Sequence, residues 1–315
     1  MSSFASGYIK YVNHLEQIND AALINPQKMI FEIEESYHSH IRSIARDIVS
    51  KKENIKICML SGPSSSGKTT TAHLLQKELI KLGKNVYIVS MDNYFLNQEL
   101  IPVLPNGKKD FENVKSLNLE QVEESLINIT QNKAIKIPHF NFTVGRSVGE
   151  PKTLAIKEND IVIVEGIHAL NPIFTKHIDS KKAIKLYVSA KQQIKDANGV
   201  TIEPFDLRLI RRIVRDMQFR GTSPEKTLDM WQGVLNGEDK YIRPYRLEAD
   251  YTVNSVHIYE PCVLRTIAIP ILRKIPQDSY YYRKARDLEA RLMRFEPVDK
   301  SLVPLNSLIR EFIGT

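Results

Sequence analysis

The stretch Gly62-Pro63-Ser64-Ser65-Ser66-Gly67-Lys68-Thr69 fits the pattern G-x-x-x-x-G-K-[ST], a loop built to hold polyphosphate. Its glycines let backbone N–H groups close around phosphate oxygens with no Cβ in the way. Lys68 adds a full positive charge and the Thr69 hydroxyl suits a Mg²⁺ ion. Thr70 extends the row of donors into a helix whose N-terminus favours anions. Two carboxylates, Asp92 and Glu165, each follow an apolar run. Together they supply what phosphoryl transfer to an alcohol needs. Glu165, with Thr69 and in part Asp92, offers hard oxygens to the metal, and Asp92 can orient an acceptor hydroxyl and take its proton. A carboxylate after a strand can also merely cap a turn. Arg208, Arg211, Arg212, Arg215 and Arg220 lie on one predicted helix, and the spacing of 208, 211/212 and 215 gives them a shared face. That row could close as a lid over the transferred phosphoryl group. The same spacing suits a solvated basic helix paired with Asp206 and Asp216.

The elements that must position these groups are legible as alternating periodicities. Ile55, Ile57, Met59 and Leu60 read as a buried strand feeding the loop, and residues 70–82 as a helix ending at Gly83. Residues 86–91 read as a strand ending at Asp92, residues 161–164 as one ending at Glu165, and residues 183–189 and 251–253 as two more. Helices are expected near 118–131, 205–220, 224–236, 260–273 and 280–293. Residues 96–116 form a long loop of the kind that is usually functional. The order argues for an α/β fold, a doubly wound parallel sheet flanked by helices, with ligands at the carboxyl ends of the strands. Apolar residues from Ile30 to Ile48 recur at helical intervals, so one long helix should pack on the domain, with His38 and His40 on its solvated face. The expected organisation is an N-terminal helical extension over 1–50, a phosphate-loop kinase domain over 51–275 and a C-terminal helical segment over 276–315.

Composition narrows the class. The 315 residues are 42% hydrophobic and 26% charged, ordinary for a chain with a sizeable core. The sequence has no apolar run of membrane-spanning length and no signal-peptide pattern, so a cytoplasmic protein without membrane contact is expected. The cysteines, Cys58 and Cys262, support neither a disulfide framework nor a zinc site. A formal charge of +7 can mean nucleic acid, but the arginines cluster at 208–220 and no RNA-binding signature accompanies them. Substrate phosphate accounts better for the charge.

The loop GPSSSGKTT, Asp92-Asn93-Tyr94-Phe95, Phe140-Asn141-Phe142, Val164-Glu165-Gly166-Ile167-His168 and the segment Arg208 to Asp216 occur in the order seen in uridine kinases. The chain resembles that family, which includes phosphoribulokinase, over roughly residues 55–273, and most of all its bacterial nucleoside kinase branch. The resemblance implies that Asp92 is the base for a ribose 5′-hydroxyl, with Tyr94 shaping the acceptor pocket. It places the family's base-stacking and ribose-binding pair on Phe111 and Glu112, where Glu stands for the usual Asp. A Tyr-Asp-Phe segment becomes Phe140-Asn141-Phe142, and a pyrimidine-reading His has no counterpart; Gly145-Arg146 lies in that region, where Arg146 could contact a base or simply solvent. Phe111 and Phe140 would still offer stacking faces to a base, though either could be core. Arg208 is the implied ribose contact, with Arg211, Arg212, Arg215 and Arg220 as lid or phosphate contacts. Losing several buried hydrogen-bonding groups opens the question of base preference while leaving the phosphoryl machinery in place. The expected activity is ATP- and Mg²⁺-dependent phosphorylation of uridine, cytidine or a related nucleoside. Rival readings are a kinase of a sugar phosphate or pantothenate-like alcohol, or a nucleotide-dependent RNA-binding regulator. The terminal helices could pack on their own domain or on a second subunit, which leaves a homo-oligomer open.

Overall fold

The computed structural model describes residues 14–51, 54–176 and 178–314, so the first 13 residues of the expected N-terminal extension lie outside it. Two helices come first, α1 (Leu15–Ile24) and α2 (Pro26–Ser50). Asn25 caps α2 by accepting from the Lys28 N–H, and Pro26 fits the first turn, where an N–H would lack a helical partner anyway. The apolar stripe of α2 (Ile30, Ile33, Tyr37, Ile41, Ile44, Ala45, Ile48) is buried within the chain itself. That covers the face from which a second subunit was a reasonable expectation. His40 is exposed as expected, but His38 is not on a solvated face. It is half-buried beside Glu34, and burial lowers its pKa.

The phosphate loop lies between β1 (Ile57–Ser61) and α3 (Lys68–Lys81). After β2 (Asn85–Ser90) the chain makes a 3-10 turn over Met91–Tyr94 and a long loop before α4 (Leu119–Thr130). Four short strands, β3 (Ile135–Ile137), β4 (Phe140–Asn141), β5 (Arg146–Ser147) and β6 (Lys152–Leu154), make two nested antiparallel pairs, β3 with β6 and β4 with β5. Then come β7 (Asp160–Glu165), α5 (Pro172–Thr175), β8 (Ala183–Ser189) and a hairpin of β9 (Ile194–Asp196) and β10 (Gly199–Ile202). The arginine helix is α6 (Pro204–Phe219), followed by α7 (Pro224–Gly237), which runs into a π-helical turn at Glu238–Ile242. β11 (Tyr251–Asn254), α8 (Glu260–Leu272), α9 (Tyr282–Met293) and the four-residue α10 (Arg310–Ile313) complete it.

Five strands form a parallel sheet in the order β11-β8-β1-β7-β2, the α/β arrangement expected from the sequence. Alternate residues of each strand enter different cores, because successive side chains point to opposite faces. Cys58, Leu60, Ile161, Ile163, Leu186 and Val188 pack with α2, α3, α6, α8 and α9. Ile57, Met59, Val162 and Val164 pack with α4 and α5. Burial on both faces explains why these strands read as continuous apolar runs. The Cys58 thiol is pushed up to about 12 by that burial, a packing role and not a reactive one. Among the described residues no helix is long and apolar enough to cross a membrane.

Candidate functional site

Register brings the chemistry together. Glu165 at the end of β7 is paired with Leu60 on one side and Ser90 on the other. The phosphate loop, Glu165 and Asp92 therefore leave three neighbouring strands at the same edge of the sheet. Asp92 sits in the 3-10 turn two residues past the end of β2, and its N–H donates to the Ser90 hydroxyl at 3.3 Å.

The loop itself is tightly built. Gly67, at φ +85°, caps α3 in the left-handed region, and a Cβ there would lie 2.5 Å from Leu308 Cδ1. At Gly62 a Cβ would lie 2.0 Å from the Val188 carbonyl oxygen, so the loop must run against β8 without a side chain. Lys68 Nζ donates to the Pro63 carbonyl at 3.1 Å, and Thr69 is exposed at the start of the helix. The Ser65 and Ser66 hydroxyls are buried without a hydrogen-bond partner. Behind the loop, Thr71 donates to the Gly67 carbonyl at 2.6 Å and meets the Tyr37 hydroxyl at 2.7 Å. Through Tyr37 the N-terminal helix α2 thus braces the phosphate helix.

The cleft holds more like charge than its solvent can relieve. Asp92 is solvent-accessible yet surrounded by protein. Desolvation raises its pKa, against the pull of Lys68, Arg220 and Arg215. Glu165 is buried, and desolvation together with repulsion from Asp92 pushes it up to about 7, with Lys68 opposing. Lys68 is itself held below its ordinary value by desolvation, with Glu165, Asp92 and Glu311 pulling the other way. Hard carboxylate oxygens that repel one another, next to the free Thr69 hydroxyl, are a donor set that a divalent cation would relieve.

The five arginines separate into different jobs. Arg211 is fully buried. Its Nε and Nη2 make 2.7 Å bonds to the two carboxylate oxygens of Glu260, and it also reaches the carbonyls of Ser255 and Ser65. Arg208 donates to the Ser64 carbonyl at 3.0 Å and pairs with Glu238 at 2.8 Å, its guanidinium near the rings of Phe205 and Trp231. These two hold the loop from behind, which corrects the expectation of a lid for Arg211, while Arg208 keeps one buried guanidinium nitrogen, Nη2, without a partner. Their helix is a buttress, with its Leu207, Leu209, Ile210, Ile213 and Val214 in the core. Arg212 reaches the Ser64 hydroxyl at 2.9 Å and Asp216 at 3.3 Å, and Arg215 binds Asp216. Arg220 alone is largely exposed, still within electrostatic reach of Asp92.

The expected nucleoside pocket is brought together only in part. Glu112 lines the cleft, where desolvation raises it to about 7 against Arg212 and Lys68, and its Oε2 has no partner. Phe111 is half-buried beside Phe95. Phe140 differs from the stacking expectation: it is buried, with Phe95 and Phe142 beside its ring at 5.6 and 5.0 Å, a member of the core. Tyr94 also turns inward, donating to the Ser125 hydroxyl at 3.1 Å in the core under α4. Arg146 is exposed on the β4–β5 hairpin.

Residues with no assigned role in the sequence complete this wall. His168 is buried beside the Glu112 backbone, and desolvation lowers it to about 4 against that backbone contact, leaving a neutral imidazole. Tyr241, from the π-helical turn, sets its ring edge-on to His168 and its hydroxyl on Asp110 and Asn113. The same turn supplies Glu238 to Arg208, and Gly237 leaves room for the Glu112 side chain, which a Cβ would meet at 2.3 Å. His168 stood in a recognisable motif, three residues after Glu165; nothing local in the sequence marks Glu238 or Tyr241.

The profile of the phosphoribulokinase / uridine kinase family matches residues 57–260. A uridine kinase of Lactobacillus helveticus is 28% identical over 65% of this chain and 89% of its own. One of Staphylococcus haemolyticus is 27% identical over 64% and 87%. Among solved structures, the "putative fructose transport system kinase" of Silicibacter sp. TM1040 superposes at a TM-score of 0.50 with 19% identity, covering 67% of this chain and 98% of its own, a likeness of fold. A phosphate loop facing two strand-end carboxylates, within a match spanning most of the sheet, identifies a P-loop kinase, and the chain belongs to the phosphoribulokinase / uridine kinase family.

Proposed function

We propose that this kinase uses ATP to phosphorylate the 5′-hydroxyl of uridine, cytidine or a related nucleoside. The observation that carries the reading is the placement of Asp92 and Glu165 in one cleft with Lys68, supported by the relatives named uridine kinase. Lys68 and the loop amides hold the β- and γ-phosphates, and Asp92 orients the acceptor hydroxyl. As the acceptor oxygen bonds to the γ-phosphorus, the bond to the β-phosphate oxygen breaks, ADP departs and the hydroxyl proton passes to Asp92. Thr69 and Glu165, with Asp92 beside them, would hold Mg²⁺, which when bound neutralises phosphate charge. Arg212 and Arg220, at the cleft, are the arginines placed to meet phosphate.

A second reading, a kinase of another small alcohol, is favoured by Phe140. A ring packed between other aromatics offers no platform to a base, and Tyr94 is turned away as well. Glu112 and His168 would then bind hydroxyl groups of a non-planar acceptor. ATP consumption with Mg²⁺ across a panel of nucleosides, sugar phosphates and pantothenate decides between the two. Turnover with nucleosides is expected. Turnover confined to the non-planar alcohols would replace the first reading by the second.

A further inference from the structure

Glu311 reaches the phosphate helix from the far end of the chain. Its Oε2 accepts from the Thr70 hydroxyl at 2.9 Å and, at a longer 3.4 Å, from the Thr70 N–H. Thr70 is the third residue of α3, so that N–H is one of the first-turn donors that no carbonyl of the helix takes up. Those donors, at the positive end of the helix dipole, are what such a loop offers to phosphate oxygens. A carboxylate on the Thr70 N–H and hydroxyl is an anion already resident at the phosphate helix.

The segment that delivers it is anchored on both sides. Leu308 packs on Gly67, the Phe312 ring lies 5.1 Å from the Arg211 guanidinium carbon, and the Ser307 hydroxyl meets Tyr259 at 3.1 Å. Glu311 itself is half-buried, within electrostatic reach of Lys68 and Glu165. The anchors hold the backbone, so turning the one side chain away is enough to clear the donors.

We propose that Glu311 is a residue of the nucleotide site: its carboxylate occupies the phosphate-helix donors in the free enzyme, and an incoming triphosphate displaces it. The inference rests on the loop as the triphosphate site. A charged competitor on the loop weakens triphosphate binding by the strength of its own hydrogen bonds, so removing its charge should tighten that binding.

Glu311→Gln keeps the size and removes the charge, and Glu311→Ala removes both. Titration calorimetry on the whole protein, with ATP and separately with inorganic tripolyphosphate, is the test. Both ligands are expected to bind the variants about tenfold tighter than the parent, the scale of a charge-assisted hydrogen bond. Unchanged or weaker binding in both variants would overturn the proposal. So would a gain for ATP without one for tripolyphosphate, which would put the carboxylate against the nucleoside and not the phosphates. If neither parent nor variants bind either ligand, the loop assignment itself fails and the proposal with it.

Discussion

Two groups of charge lie on opposite sides of the phosphate loop, and they are finished to different degrees. Behind the loop, Arg211 and Glu260 satisfy each other through two 2.7 Å bonds, and the remaining guanidinium donors reach backbone carbonyls. In front, Asp92, Glu165, Glu112 and His168 share a cleft with Lys68, and Glu112 Oε2 is left without a partner. A saturated network fixes geometry, whereas an unsaturated one leaves hydrogen-bonding capacity for something that is not yet there. The same residue types thus do structural work on one side and chemical work on the other.

The comparison breaks most visibly at Asp92. Asp92→Asn should lower kcat by about 10²- to 10⁴-fold, the usual worth of a positioned base, while ATP binding and thermal stability hold. A variant that loses ATP binding, or melts far earlier, would place Asp92 among the structural charges. The opposite outcome is expected behind the loop. Arg211→Met strands the Glu260 carboxylate in the core and should cost about 3–5 kcal/mol of stability in denaturant unfolding. Adding Glu260→Leu should recover much of that loss. A single variant within about 1 kcal/mol of the parent would show that the network is not what holds this side together.

Glu165 sharpens the comparison with a smaller effect of opposite sign. Its folded pKa, about 7, lies above the ordinary value of 4.5, so the native state holds the proton more tightly than the unfolded chain. Its contribution to stability is therefore present at low pH and is lost as pH rises from about 4.5 through about 7. Glu165→Gln should make the metal-free protein more stable at pH 8 by about 3 kcal/mol, with the difference fading by pH 4. Thermal melts across that range check it. A destabilised variant at pH 8 would mean that the charged form is already compensated within the protein.

What was legible beforehand follows the range of the interactions concerned. The phosphate loop is a local pattern, and Asp92 and Glu165 follow strands that advertise themselves as apolar runs, so the sheet and its chemical edge could be read from sequence. The arginines could be found but not sorted. Arg211 and Glu260 are 49 residues apart, and helical spacing holds no information about which guanidinium meets a distant carboxylate. Tyr94 follows Asp92 by two residues, yet the 3-10 turn sends one side chain to the cleft and the other to Ser125. Phe140 was recognisable as an aromatic, while its partners Phe95 and Phe142 decide that it is core. Tyr241 and Glu238 depend on a π-helical turn that no residue pattern announced.

The contact of Leu308 with Gly67 has a consequence for how the molecule is made. The sheet that holds the loop is complete only once β11 has been made, to Asn254, and Glu311 follows 57 residues later, roughly 3–11 s at a synthesis rate of about 5–20 residues per second. For that time the growing chain carries a phosphate loop whose outer wall does not yet exist. The loop can meet cellular nucleotides before Leu308 and Glu311 arrive. The segment that carries Leu308 and Glu311 therefore meets a site that a ligand has had the chance to shape.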